Sequence, residues 1–327
     1  QGKIERLVAV ERNDAHRLIE ECMLAANLCA ARLLLRNKMP ALFRIHEAPP
    51  AEKIEDLKRF LGELGLRLPG TAKPGPKDFA LLLDSTRERG DAHLIQTVLL
   101  RSLSQALYSP NNNGHFGLAY DAYTHFTSPI RRYPDLVVHR AIKHWLLDGT
   151  GDNFTHSLPE LQTLGEHCSM TERRADEATR DVTSWLKCEY MQDKLGEEFD
   201  GLISGVNSFG LFVELKGLYV DGLVHITALR NDYYHFDPIG HRLTGERSGR
   251  VYRLGDPFRV KVAQVNLEER KIDFVPAVGE VDASPDSGPK RRRSGWSRGS
   301  ANSPVSTSTR SKRKDGEAKE RPASGAL

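Results

Sequence analysis

The chain has 327 residues, 39% of them hydrophobic and 28% charged, and a net charge of +3. This is the balance of a soluble chain of about two domains, and it excludes collagen-like, bare coiled-coil and disulfide-rich secreted chains. No apolar run reaches the roughly 18 residues a membrane span needs, so no membrane partner is expected.

The chain opens Gln1-Gly2-Lys3-Ile4-Glu5, without a methionine or the apolar stretch of a signal peptide, and reads as starting inside a larger protein. Residues 11–37 form a predicted helix with Asn13 or Asp14 as cap, because Leu18, Cys22, Ala25, Ala26, Cys29 and Leu33 recur at helical spacing. Pro40 stops it. An extended piece at 44–47, a helix at 51–64, a Gly/Pro turn cluster at 69–76 and helices at 77–87 and 91–107 follow. A loop is predicted over 109–114. Ser128 and Pro129 suit the cap and first position of another helix, with Pro134 kinking its first turns. Residues 158–195 read as one very long helix whose interior weak point is Gly165.

At Gly196 the pattern changes. Residues 199–206, 211–215, 219–224, 258–265 and 271–275 have strand character, and 227–255 is a longer connection. Five short strands in this span predict a small OB-type Greek-key barrel. The expected class is α+β: a mostly helical part over 1–195, a five-stranded OB-type barrel over 196–276, and a disordered basic tail over 277–327. That tail holds 11 Lys and Arg against 6 Asp and Glu, so it carries +5 and the body −2. Its polar composition cannot bury enough apolar surface to offset ordering. It is either a solubilising tail or an arm that gains by displacing counterions from nucleic-acid phosphates.

The four cysteines, Cys22, Cys29, Cys168 and Cys188, show no metal spacing and are expected to be buried reduced thiols of a cytoplasmic protein.

The densest polar stretch is 117–140. A helix start is an anion site, and Arg131 and Arg132 sit where a helix dipole disfavours cations, so they need a carboxylate or a phosphate. Asp135 and His139, at four-residue steps from Arg131, are expected to form a ladder orienting the guanidinium. Tyr120, Tyr123, Phe126 and Tyr133 place aromatic faces around the pair, the mixture a single-stranded nucleic-acid path uses. The arginines equally suit internal ion pairs between helices, and His125 alone suits a hydrogen-bonded core position better than a catalytic one.

His125-Phe126-Thr127-Ser128-Pro129-Ile130-Arg131-Arg132-Tyr133-Pro134-Asp135, followed by Val138-His139-Arg140, resembles the signature of the RNase II/RNase R (RNB) exoribonuclease family. The stretches 20–27, 44–47 and 172–181 agree with it. Residues 201–213 and 221–225 resemble an S1-type RNA-binding domain, and 231–237 and 252–255 resemble the bacterial ribonuclease R branch. The resemblance spans about residues 1–276.

It implies a processive 3′→5′ hydrolytic exoribonuclease that releases nucleoside 5′-monophosphates with Mg²⁺. Arg131 takes the place of the family's arginine at the scissile phosphate, with Tyr123, His125, Arg132 and Tyr133 beside it on the RNA. The family's D-x-D-D type metal cluster is absent from the sequence. The resemblance places it upstream, so this chain is expected to be a C-terminal portion, without metal ligands of its own and inert alone. Thr179 stands where the RNase II branch has a glutamate, and that role is not carried to Glu172 or Glu177.

On the barrel, Phe199, Phe209, Phe212 and His225, with Lys216, Arg259 and Lys261 nearby, are the candidates for stacking bases and meeting phosphates. The implied partners are single-stranded RNA and structured RNA with a 3′ overhang, with ribosome contact through the tail left open. Two other readings stand beside the enzyme: a noncatalytic single-stranded RNA-binding module, and a helical adaptor for a protein partner.

Overall fold

The first helix is α1, Asp14–Arg36, where the Asn13 side chain accepts the backbone N–H of His16 at 3.1 Å. The computed structural model describes residues 4–8, 12–70, 73–229 and 232–277. The predicted basic tail, apart from Ala277, lies outside the described residues.

The buried side of α1 is Asn27, Ala30, Ala31 and Leu34, next to the predicted stripe rather than on it. Both stripes have helical spacing, and the two alanines allow the closer approach. Cys22 and Cys29 are consequently exposed, against expectation, while Cys168 and Cys188 are buried.

Strand β1, Phe43–Ile45, pairs antiparallel with β2, Leu107–Ser109. Helices α2 (Ala51–Glu63), α3 (Pro76–Thr86) and α4 (Ala92–Ser102) fill the sequence between them. The predicted helix over 91–107 therefore ends five residues early. Leu103 is extended, and Tyr108 is drawn into the sheet and onto Ser169, a tertiary demand that overrides helix propensity.

Helix α5, Tyr133–Asp148, starts four residues later than predicted, with Pro134 in its first turn. A proline there needs no N–H partner, whereas a helix begun at Ser128 would set its ring against the carbonyl of Ile130. Residues 128–132 instead make a separate turn, closed by Arg131 and Arg132 N–H groups on the Ser128 carbonyl.

Helix α6 is the predicted long one, Leu158–Gln192, with a capping box between Ser157 and Glu160. Gly165 is more than a weak point. A β-carbon there would lie 2.7 Å from the Tyr108 carbonyl oxygen, so the glycine lets α6 press on β2. One turn on, Ser169 Oγ accepts the Tyr108 N–H at 2.9 Å.

The five predicted barrel strands are present as β3 (Glu198–Asn207), β4 (Gly210–Leu215), β5 (Asp221–His225), β9 (Pro257–Asn266) and β10 (Lys271–Pro276). They close in the order β10-β5-β4-β3-β9, with β10 and β5 parallel. The connection read as a loop holds a separate antiparallel sheet of β6 (Tyr234–Asp237), β7 (Arg242–Gly245) and β8 (Val251–Arg253). Strands of three or four residues are too short to show an alternating pattern in sequence.

The core does not stop at the change from helix to strand. Leu57, Phe60 and Leu61 of α2, Ile95 and Leu99 of α4, and Met191 of α6 belong to one buried cluster with Ile203, Val213, Val260 and Phe274 of the barrel.

Gly165→Ala is expected to destabilise the chain by about 1–3 kcal/mol, the usual cost of overpacking. Denaturant unfolding measures it.

Candidate phosphate site and nucleic-acid face

The site is built on the turn between Thr124 and Tyr133. Asn27 of α1 is 2% exposed and is bonded at both ends. Its Oδ1 accepts the N–H groups of Phe126 (2.9 Å) and Thr127 (3.2 Å), and its Nδ2 donates to the Tyr123 hydroxyl at 2.8 Å. From the other side, Asp135 Oδ1 accepts the Ser128 N–H at 2.8 Å and Arg132 Nη2 at 2.9 Å. Asp135 is fully buried.

The predicted ladder from Arg131 is not formed. Asp135 takes Arg132, three residues away, because the helix starts after both arginines rather than before them. His139 bonds the Phe126 carbonyl through Nε2 at 2.9 Å and stacks on the Phe126 ring at 4.2 Å. Arg131 is left exposed on the turn beside Ile130, which is 99% exposed. No ion pair to Arg131 occurs among the described residues. Tyr133 is 42% exposed, and Arg140 lies over its ring at 5.9 Å.

Behind the turn runs a second chain of contacts that spacing alone does not reveal. Arg44 of β1 pairs with Glu172 of α6 at 2.6 Å and covers the Tyr108 ring at 4.6 Å. The Tyr108 hydroxyl meets His125 Nδ1 at 2.8 Å. His125 lies edge-on to both Tyr108 and Tyr123. Arg44 and Glu172 are 128 positions apart, and the fold brings them together. Tyr120 stacks on Tyr123 at 6.0 Å and completes the aromatic wall.

Burial is the main influence on the titrating groups here. It raises Tyr108 to about 12, and it lowers His115 to about 4 and His125 to about 3. His125 is held down further by Arg132, Arg44, His115 and Arg131. His46 and Arg44 add to the effect on His115.

The barrel candidates divide between two regions. Phe209 (45% exposed), Phe212 and His225 lie together: the two rings are 6.1 Å apart, and His225 is opposite Gly210 in the β4–β5 ladder. Phe212 faces Leu223 and Gly205 across the strands. Phe199 is elsewhere. It is in register with buried Val260 and packs against the core, on the inward parity it shares with Gly201 and Ile203. Lys216 and Lys261 are exposed at the other end of the barrel. Lys216 N–H bonds the Asp200 carbonyl, and Lys261 is opposite Glu198. Arg259 is tied there to Glu198 at 3.3 Å and Asp200 at 3.9 Å. The sequence-predicted barrel set is thus an exposed aromatic–His patch, a charge-compensated basic end and one core ring.

No group of three or more His, Cys, Asp or Glu side chains is placed to hold a metal ion among the described residues. Mg²⁺ therefore has no fit to these residues. None of the described helices is long and apolar enough to cross a membrane.

Asn27→Ala strips partners from two N–H groups and a buried hydroxyl. It is expected to cost about 2–4 kcal/mol in denaturant unfolding. Acid sensitivity follows from the two histidines. Unfolded histidine takes a proton near its ordinary 6.5, whereas His115 and His125 in the fold do not until about 4 and about 3. The unfolded state binds more protons in that window, so stability falls as pH drops from 6.5 toward 4. A pH series of unfolding midpoints tests this, and His115→Asn is expected to flatten it.

With that geometry in view, similarity to known proteins is specific. The family model described as RNB domain matches residues 1–148, and that of the S1 RNA binding domain matches 192–275. The chain is 56% identical over 282 residues to ribonuclease R of Escherichia coli, and 55% identical over 283 residues to that of Vibrio cholerae. In both cases 84% of this chain is matched, and it spans 35% and 34% of those proteins' lengths. Among solved structures, Mycoplasma genitalium RNase R in complex with ribose methylated single-stranded RNA superposes with a TM-score of 0.76 at 29% identity. That match covers 82% of this chain and 42% of the other. The chain belongs to the RNase II/RNase R (RNB) family, with an S1 RNA binding domain following its RNB sequence.

Proposed function

We propose that this chain supplies the phosphate-gripping and RNA-feeding portion of a processive 3′→5′ hydrolytic exoribonuclease that releases nucleoside 5′-monophosphates. The observation that carries the reading is the unequal treatment of two adjacent arginines. Arg132 is spent on Asp135, whereas Arg131 is exposed on a turn clamped from both sides. A cation presented from a backbone held on both flanks, without a protein anion, suits charge that develops on phosphorus during hydrolysis. His125 and Tyr133 line the path of the strand, while Tyr123, predicted as an RNA contact, is buried with its hydroxyl on Asn27 and, like Arg132 on Asp135, supports that path from behind.

The Phe209–Phe212–His225 patch stacks bases without regard to sequence, each stack being worth roughly 1–3 kcal/mol. Lys216 and Lys261 add long-range attraction for phosphate rather than contact at that patch. The working division is a helical part over 1–195 and a barrel over 196–276, with the basic tail an electrostatic arm. RNA with a single-stranded 3′ end is the substrate class, in the cytoplasm. The Mg²⁺ ligands belong to sequence outside this chain, so no catalytic step is assigned to a metal here.

In a longer polypeptide that includes the rest of the RNB domain, Arg131→Ala is expected to lower turnover about 10²–10³-fold while RNA affinity changes little. Preserved turnover would favour a noncatalytic RNA-binding module. The chain alone, given Mg²⁺, is expected to bind single-stranded RNA without releasing nucleotides. Release would place metal ligands within it.

A further inference from the structure

We propose that His125 is a neutral hydrogen-bond donor to a phosphate oxygen of bound RNA, fixed in that form by Tyr108. The inference rests on the reading of the Arg131 turn as the phosphate site and assigns its neighbour a definite chemical state.

The tautomer follows from where protons can go. Tyr108 is buried, and among the described residues the one hydrogen bond of its hydroxyl is to His125 Nδ1 at 2.8 Å. If Nδ1 carried the proton, the tyrosine proton would be left buried with no acceptor, which is costly. The hydroxyl therefore donates to Nδ1, and the imidazole proton is on Nε2. Nε2 has no hydrogen-bond partner among the described residues, and His125 is half-buried on the turn that carries Arg131.

The surroundings keep this ring from becoming a cation. Arg44 faces it from β1, Tyr108 from β2, and Tyr123, Arg131 and Arg132 from its own turn, with His115 alongside. The carboxylates of the site are already engaged: Glu172 with Arg44 and Asp135 with Arg132. A fourth positive charge beside these three arginines would face repulsion with both of those carboxylates already paired, in keeping with the depressed affinity of His125 for a proton. The result is a donor that adds direction without charge beside Arg131. It is unsuited to acid–base exchange, since Nδ1 is occupied and protonation is suppressed near neutral pH. In this arrangement Tyr108 is a positioning residue: it acts on RNA only through the state of His125.

Nitrogen-15 NMR of the full chain labelled at histidine reads the state directly. The expected spectrum is neutral His125 with the proton on Nε2, unchanged from pH 5 to 8, with the Nε2 signal moving when a single-stranded oligoribonucleotide is added. A proton on Nδ1, titration near 6.5, or an Nε2 signal indifferent to RNA would overturn the proposal. Tyr108→Phe is expected to release the tautomer preference, and an unchanged spectrum would remove Tyr108 from it.

In binding assays His125→Ala is expected to weaken affinity about tenfold, equally for RNA and for the same oligonucleotide with 2′-deoxy sugars. His125→Gln, which retains a donor, should recover most of the loss. A loss confined to RNA would move the contact to the 2′-hydroxyl and defeat the phosphate assignment. The underlying site reading fails separately, if Arg131→Ala leaves turnover intact while the spectrum of His125 is as described.

Discussion

The site depends on a carboxylate that water does not reach. Asp135 is placed in the first turn of α5 by Pro134, whose ring forbids the helix from starting earlier. From there one oxygen holds both the Ser128 N–H and the Arg132 guanidinium. A buried ion pair of this kind contributes little net stability, because desolvation offsets most of the attraction, but removing one partner strands a charge. Its structural effect is to decide which arginine is used internally and which is presented. Asn27 completes the arrangement from α1, about a hundred residues away in sequence, so the turn is held on both flanks by side chains from different helices.

Much of this was legible from the sequence where a local rule applies. The long helix α6 with its interior glycine and the five barrel strands follow from helical run length and strand character, and each is found within a few residues of its expected place. The errors occur where a distant contact outweighs a local signal. Ser128 is a good cap by type, yet Pro134 sets the helix start. Residues 103–107 are apolar enough to extend α4, yet β1 and Ser169 claim Tyr108. The short sheet at 234–253 has three strands too brief to carry a period.

The candidate site was legible as a set of residues but not as a set of contacts. His125, Arg131 and Arg132 were found together because they are neighbours in sequence. That Arg131 is free and Arg132 is bound depends on a helix boundary one proline sets. Phe199 shows the complementary case on the barrel: its residue type suits base stacking, but strand parity turns it inward toward Val260. The arginine of β1 and the glutamate of α6 could be joined only by the fold.

The common core of α2, α4, α6 and the barrel has a further consequence. S1-type barrels are often thought of as interchangeable beads on a string. Here the buried residues of the barrel and Leu57, Ile95 and Met191 belong to one continuous cluster. A barrel transplanted from another protein would bring its own strand order and its own outer face, yet leave those helix side chains facing a surface never shaped for them. In this chain the unit that evolution or engineering can exchange is therefore larger than the barrel: it includes the helices that share its interior.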